Sequence, residues 1–108
     1  MRRHKYNATR SIVDGITFPS RKQANRYQEL MLLLKAGEIM NLELEKTIPL
    51  IVNGQLICKY RCDFVYVKLP WHPTDSIIYE DTKGFSTNEF RLKKKLMKAI
   101  YNIEILET

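Results

Sequence analysis

The segment from Ser76 to Gly84 carries an acid and a lysine two residues apart, Asp81 and Lys83, directly after an apolar run. Ile77, Ile78 and Tyr79 favour a strand, and strand side chains alternate faces. Asp81 and Lys83 are therefore expected side by side on the face of Ile77 and Tyr79, with Glu80 and Thr82 turned the other way. An acid there is able to hold a divalent cation while the ammonium faces a phosphate or a water, which is half of a site for metal-dependent chemistry at a phosphodiester. The same spacing also describes an ordinary solvated strand end. A second acid, Asp63, lies inside the β-branched and aromatic run Tyr60 to Val67. Alternation sets it on the face of Arg61, Val65 and Val67, opposite Phe64 and Tyr66. A carboxylate among buried strand residues needs a partner. The candidates are a salt bridge to Arg61 or a neighbouring strand, or a cation shared with Asp81.

The remaining elements decide whether the two acids meet. Ala8 to Val13 and Ile16 to Phe18 flank Asp14-Gly15, a pair that tolerates positive φ and favours a tight hairpin. Ser20 opens a helix by capping its first turn, and Gln23 completes a capping box. Ala24, Tyr27, Leu30, Met31 and Leu34 follow at helical spacing, with Leu32 and Leu33 widening the apolar face, and Gly37 ends it. Lys46 to Val52 and Gln55 to Val67 read as strands joined by Asn53-Gly54, with Pro49 at an edge or bulge because it gives the ladder no donor. A proline-containing loop, Leu69 to Asp75, returns the chain to the Asp81 strand. Hairpin order then sets the Asp63 and Asp81 strands adjacent and antiparallel, so that both acids meet on one face. Ser86-Thr-Asn-Glu89 reads as a second capping box, beginning a helix with Phe90, Leu92, Leu96, Met97, Ile100 and Tyr101 as its apolar positions. Ile103 to Leu106 forms a last strand.

The chain of 108 residues is expected to be one domain, and its formal charge of +6 is unevenly spread. Up to Arg26 the chain carries Arg2, Arg3, Lys5, Arg10, Arg21, Lys22 and Arg26 against Asp14 alone, and residues 1–7 are expected to form a basic, mobile start. From Lys83 to Tyr101 it carries Lys83, Arg91, Lys93, Lys94, Lys95 and Lys98 against Glu89 alone. Arg91, Lys94, Lys95 and Lys98 recur as one stripe on the second helix, either a solvated face or a track for a phosphate backbone. Basic flanks about an acidic centre suit a polyanion held at its phosphates. No apolar run is long enough for a membrane span and none follows the basic start as in a signal peptide, so the expected location is the cytoplasm. Cys58 and Cys62 lie four apart in one strand, roughly 13 Å between Cα atoms at about 3.3 Å per residue, beyond disulfide reach. His4 and His72 add no finger-like ligand pair, so both cysteines are read as reduced packing residues.

The order hairpin, helix, three antiparallel strands, helix, strand, with an acid in the second core strand and Asp-x-Lys in the third, resembles the PD-(D/E)xK nuclease superfamily, and in particular small phage proteins of that superfamily related to Holliday-junction resolvases. The likeness covers the chain from Phe18 onward. It rests on the phrase Phe18 to Tyr27 in the first helix, on Tyr60-Arg-Cys-Asp-Phe64 and Glu80-Asp-Thr-Lys-Gly-Phe85, and on the basic helix with Lys93-Lys94-Lys95. The resemblance implies an α/β (α+β) fold with a single αβββαβ core, a mixed central sheet and flanking helices. It implies a Mg²⁺-dependent deoxyribonuclease, with Mn²⁺ able to substitute, acting on branched DNA in phage recombination or replication. Asp63 and Asp81 become metal-binding acids and Lys83 the catalytic lysine, while Gln23 stands where the superfamily commonly has a glutamate. Arg21, Lys22, Arg26, Arg91, Lys94, Lys95 and Lys98 are the expected DNA contacts. Paired cuts across a junction imply a homodimer. Because Gln23 carries no charge, the other reading is a catalytically impaired DNA-binding accessory protein with the same fold.

Overall fold

The structure is a computed structural model that describes residues 10–83 and 86–108. Arg2, Arg3, Lys5 and Gly84, singled out above, lie outside the described residues. The chain is α+β: a hairpin of β1 (Ser11–Val13) and β2 (Ile16–Phe18), helix α1 (Arg21–Lys35), then β3 (Ile39–Val52), β4 (Gln55–Lys68), β5 (Ile77–Asp81), α2 (Asn88–Tyr101) and β6 (Ile105–Glu107). β3 to β6 form one mixed sheet in the order β3-β4-β5-β6, antiparallel except for the parallel β5–β6 pair.

Local chemistry accounts for most boundaries. Asp14-Gly15 (φ 53° and 76°) and Asn53-Gly54 (φ 51° and 76°) both take left-handed backbone at the two central positions, the geometry a two-residue hairpin requires. Ser20 caps α1 by accepting the Gln23 N–H at 3.1 Å. Several boundaries differ from expectation; the last strand, for one, spans Ile105–Glu107 rather than Ile103–Leu106. β3 begins at Ile39 rather than Lys46, and Leu42-Glu-Leu-Glu45 has the alternation of a half-buried strand. The cap of α2 is Thr87, not Ser86: its hydroxyl accepts the Phe90 N–H at 3.0 Å.

The helices lie on opposite faces of the sheet over separate cores. α1 packs Ala24, Tyr27 and Leu30 with Ile39, Phe64 and Tyr66, and Phe18 of the hairpin joins them. α2 packs Phe90 and Met97 with Ile48, Leu50, Tyr60, Cys62, Val65 and Ile105. Leu32 and Leu92, expected among the apolar positions, are exposed at 67% and 58%. Each lies outside the stripe that its helix turns to the sheet. Cys58 and Cys62 are free thiols on the α2 face, and burial pushes the Cys62 thiol up to about 12. Pro49 sits in the edge strand β3.

On the α1 face, β5 presents Glu80, which is fully buried. Arg26 grips its carboxylate from two nitrogens, Nε to Oε2 at 2.6 Å and Nη2 to Oε1 at 3.0 Å. The Tyr66 hydroxyl donates to Oε1 at 2.6 Å and the Thr108 hydroxyl to Oε2 at 3.1 Å. Arg26 also pairs with Glu29 at 3.1 Å, and these bonds hold its guanidinium pKa above the ordinary value. Arg26 was expected at DNA, yet its fork is committed to a carboxylate inside the fold, because a buried acid with no cation beside it costs more than an exposed arginine gains. Arg26→Met is therefore expected to cost about 3–5 kcal/mol in urea denaturation, and adding Glu80→Leu to recover most of that loss by removing the orphaned charge.

Candidate active site

Asp63 and Asp81 come from the two adjacent antiparallel strands β4 and β5, whose ladder runs from Phe64↔Glu80 to Val67↔Ile77. Both acids sit just past the end of that register. Strict alternation would turn Cys62 and Phe64 to the same side, yet Cys62 belongs to the α2 core and Phe64 to the α1 core. The β3–β4 ladder skips the Glu45/Asp63 pair between Lys46↔Cys62 and Leu44↔Phe64, and Glu45 has a φ of 51°. This irregularity breaks the alternation at Asp63. Arg61, a candidate partner for Asp63, instead pairs with Glu45 at 2.9 Å.

Asp81 is fully buried. Its Oδ1 receives the Asp63 backbone N–H at 3.4 Å, a long contact, and its Oδ2 receives the Tyr60 hydroxyl. Asp63 Oδ2 accepts the Thr82 N–H at 2.9 Å. The two side chains are thus neighbours: each reaches the backbone of the other's strand end. Burial, then the hydrogen bond to Asp81 and its charge, raise the Asp63 carboxyl to about 7, against the Thr82 N–H and Lys83, which favour ionisation. Burial, together with the bond to Asp81, lifts the Tyr60 hydroxyl far above its usual range, so it stays a donor.

Lys83 Nζ lies 3.7 Å from Asp81 Oδ1 and 4.4 Å from the centre of the Phe90 ring. The ring face holds the ammonium beside the acid pair. Lys22, in the first turn of α1, donates to the Lys83 carbonyl at 2.8 Å, bringing the exposed Arg21–Lys22 end of the helix to the end of β5. Gln23 is buried in that turn, but among the described residues its side chain makes no hydrogen bond to either carboxylate. Along α2, Lys94 pairs with Glu107 at 2.5 Å, Lys98 with Glu104 at 3.1 Å, and Arg91 donates to the Ser86 carbonyl at 2.8 Å and to the Asn88 side chain. Lys95 is exposed and has no carboxylate partner among the described residues.

Two hard oxygen ligands side by side suit Mg²⁺, which takes one or two carboxylates, keeps several waters and completes its shell from a substrate phosphate. No group of three His, Cys, Asp or Glu residues forms a ligand cluster among the described residues. The residues that sequence reasoning passed over are Tyr60, Thr82 and Phe90. Each supports a residue of the pair or the lysine, and none carries a local signal beyond its position near them in the fold.

The chain belongs to the family described as "Protein of unknown function (DUF1064)", whose family model matches residues 3–106. No curated protein and no solved structure matches it. No helix among the described residues is long and apolar enough to cross a membrane.

The raised Asp63 carboxyl has a definite sign in stability. Folding binds its proton more tightly than the unfolded chain does, near an ordinary value of about 3.9, so its stabilising contribution is full below about pH 4 and is lost as pH rises through about 7. In metal-free protein, Asp63→Asn is expected to be more stable than wild type at pH 8 by roughly 1–3 kcal/mol, with the gap closing toward pH 4. Urea denaturation across that range measures it.

Proposed function

We propose that this DUF1064 member is a metal-dependent endonuclease that hydrolyses DNA phosphodiesters, selective for branched duplexes and acting as a homodimer. The observation that carries this reading is the meeting of Asp63 and Asp81 at the ends of two adjacent strands with Lys83 beside them. In the hydrolysis a water oxygen bonds to phosphorus, the bond from phosphorus to the leaving oxygen breaks, and the leaving oxygen takes a proton. Asp63 and Asp81 would hold Mg²⁺, and the chemistry it would supply there is polarisation of the phosphoryl oxygen and acidification of a water. Asp81 serves as the fixed ligand, because Tyr60 and the Asp63 N–H orient both of its oxygens. Asp63 is the ligand whose proton must leave before a cation is held. Lys83 offers positive charge to the phosphate as negative charge builds on it.

Phosphate binding is supported by the exposed Arg21 and Lys22 at one side of the pair and by the α2 helix at the other. A chain this small has little surface for base readout, which favours recognition of DNA shape over sequence. The second reading, a DNA-binding accessory protein without turnover, draws on Gln23: the first helix brings an amide rather than a carboxylate to this end of the sheet, and among the described residues that amide makes no hydrogen bond to the acids.

The deciding experiment is cleavage of four-way junction, flap and linear duplex DNA with Mg²⁺ or Mn²⁺. Wild type is expected to cut branched substrates, and Asp81→Asn or Lys83→Ala to lower the rate by about a hundredfold or more while binding persists. Binding without cleavage in wild type would favour the accessory role. The stripe adds a separate expectation. Lys95→Ala is expected to flatten the slope of log affinity against log salt by about 0.9, the value for one lost duplex phosphate contact, and Lys94→Ala and Lys98→Ala by less, because Glu107 and Glu104 already offset those charges.

A further inference from the structure

Past Asp81, β5 is tied to β6 through Thr108. The Thr108 N–H donates to the Asp81 carbonyl at 2.9 Å and the Thr108 carbonyl accepts the Lys83 N–H at 3.3 Å, so the parallel pairing of the two strands continues one step beyond Asp81↔Glu107. The Thr108 side chain makes a different set of bonds. Its hydroxyl donates to Oε2 of the buried Glu80 at 3.1 Å and lies 3.1 Å from the hydroxyl of Thr82.

A hydroxyl has one proton and two lone pairs, which fixes the direction of this relay. Thr108 gives its proton to Glu80, so Thr82 must be the donor to the Thr108 oxygen. The bonds therefore run from Thr82 through Thr108 to Glu80, which Arg26 and Tyr66 also hold. Thr82 joins the two faces of the sheet. Its hydroxyl is drawn toward the Glu80 cluster, while its N–H donates to Asp63 Oδ2 at 2.9 Å. Threonine is β-branched and stiff at χ1, so fixing its oxygen also restrains the backbone that carries the N–H. Fastening β6 would need only the two backbone bonds of Thr108; the pair of hydroxyls acts on Thr82 instead.

We propose that the Thr82–Thr108 hydroxyl pair positions the metal site, carrying the rigidity of the Arg26–Glu80 cluster to the N–H that aims Asp63. The inference rests on Asp63 and Asp81 holding a divalent cation, as proposed above. Asp81 is oriented by the Tyr60 hydroxyl, and the Thr82 N–H does the same for Asp63. Hydrogen bonds behind a ligand set its direction, and losing one commonly weakens metal binding about tenfold to a hundredfold. Thr82 and Thr108 are thus positioning residues, two and three bonds away from the cation, and the buried ion pair on the α1 face becomes the anchor of the acid pair on the α2 face.

Titration of the full chain with Mn²⁺ in the absence of DNA, with the free ion followed by electron paramagnetic resonance, tests it. Thr108→Val keeps the backbone bonds and the side-chain shape but removes the hydroxyl, and Arg26 and Tyr66 remain on Glu80. Thr108→Val and Thr82→Val are each expected to weaken Mn²⁺ binding about tenfold, and Thr108→Ser to bind as wild type. The double valine variant is expected to lose no more than either single one, because both substitutions cut the same path. Hydrogen exchange of the Thr82 amide in metal-free protein reads the link directly. It is expected to quicken in both valine variants and not in Thr108→Ser, while the Tyr79 amide in the middle of β5 keeps its rate. A Thr108→Val protein that binds Mn²⁺ as tightly as wild type overturns the proposal. So does a double variant whose losses add, or exchange that quickens equally at Thr82 and Tyr79, the mark of a strand merely loosened. A wild type that holds Mn²⁺ no more tightly than Asp81→Asn overturns the metal reading itself, and the role of the two threonines falls with it.

Discussion

β5 ends in two consecutive acids that are both buried, and the rest of the structure is arranged to make that tolerable. Glu80 and Asp81 point to opposite faces of a central strand. Each buried carboxylate costs several kcal/mol unless hydrogen-bonded or paired, so both helical layers must contribute partners. On the α1 face the answer is full neutralisation: Arg26, Tyr66 and Thr108 saturate Glu80. On the α2 face it is incomplete. Asp81 has a tyrosine hydroxyl, one long backbone bond and a lysine at 3.7 Å, and it shares its space with a second acid. Two neighbouring residues thus separate a structural ion pair from a site with unsatisfied electrostatic demand.

That demand is visible in Asp63. Its raised carboxyl shows that the fold holds it with a proton more readily than water would, the usual result of two carboxylates in one partly buried space. Such an arrangement lowers stability near neutral pH, and a cation between the two acids would reverse the cost. Structural acids do not ordinarily need this; the Glu80 cluster in the same strand shows the cheaper solution. Perturbed acids of this kind gather at functional sites, which is the physical basis for reading the pair as chemistry.

Charge elsewhere is less free than composition suggests. The α2 stripe faces β6, and Glu104 and Glu107 meet Lys98 and Lys94 there. These are exposed pairs of little worth to stability, and a polyanion can compete for the lysines, but at a discount. Arg26 is withdrawn altogether. Among the described residues, Lys83 stands beside the acid pair and Lys22 reaches the end of β5 from the first turn of α1, so charge gathers there from the ends of β5 and α1.

Local chemistry in the sequence determined the order of elements, both Asx-Gly hairpins, the cap at Ser20 and the adjacency of the Asp63 and Asp81 strands, because turn residues and strand order act over a few positions. It also set Glu80 and Asp81 on opposite faces, which follows from alternation alone. The first half of β3 was not read as strand, because its polar content masked the alternation of its leucines and glutamates. Only the tertiary structure decided the break of alternation at Glu45 and Asp63, since a left-handed glutamate leaves no compositional mark. Tertiary structure also decided the partner of every charge: Arg26 went to Glu80 across 54 residues, Arg61 to Glu45 rather than Asp63, and Tyr60 to Asp81. Ion pairs and buried hydrogen bonds depend on distance in space, and a chain read along its length shows which residues need partners without showing which ones the packing brings near.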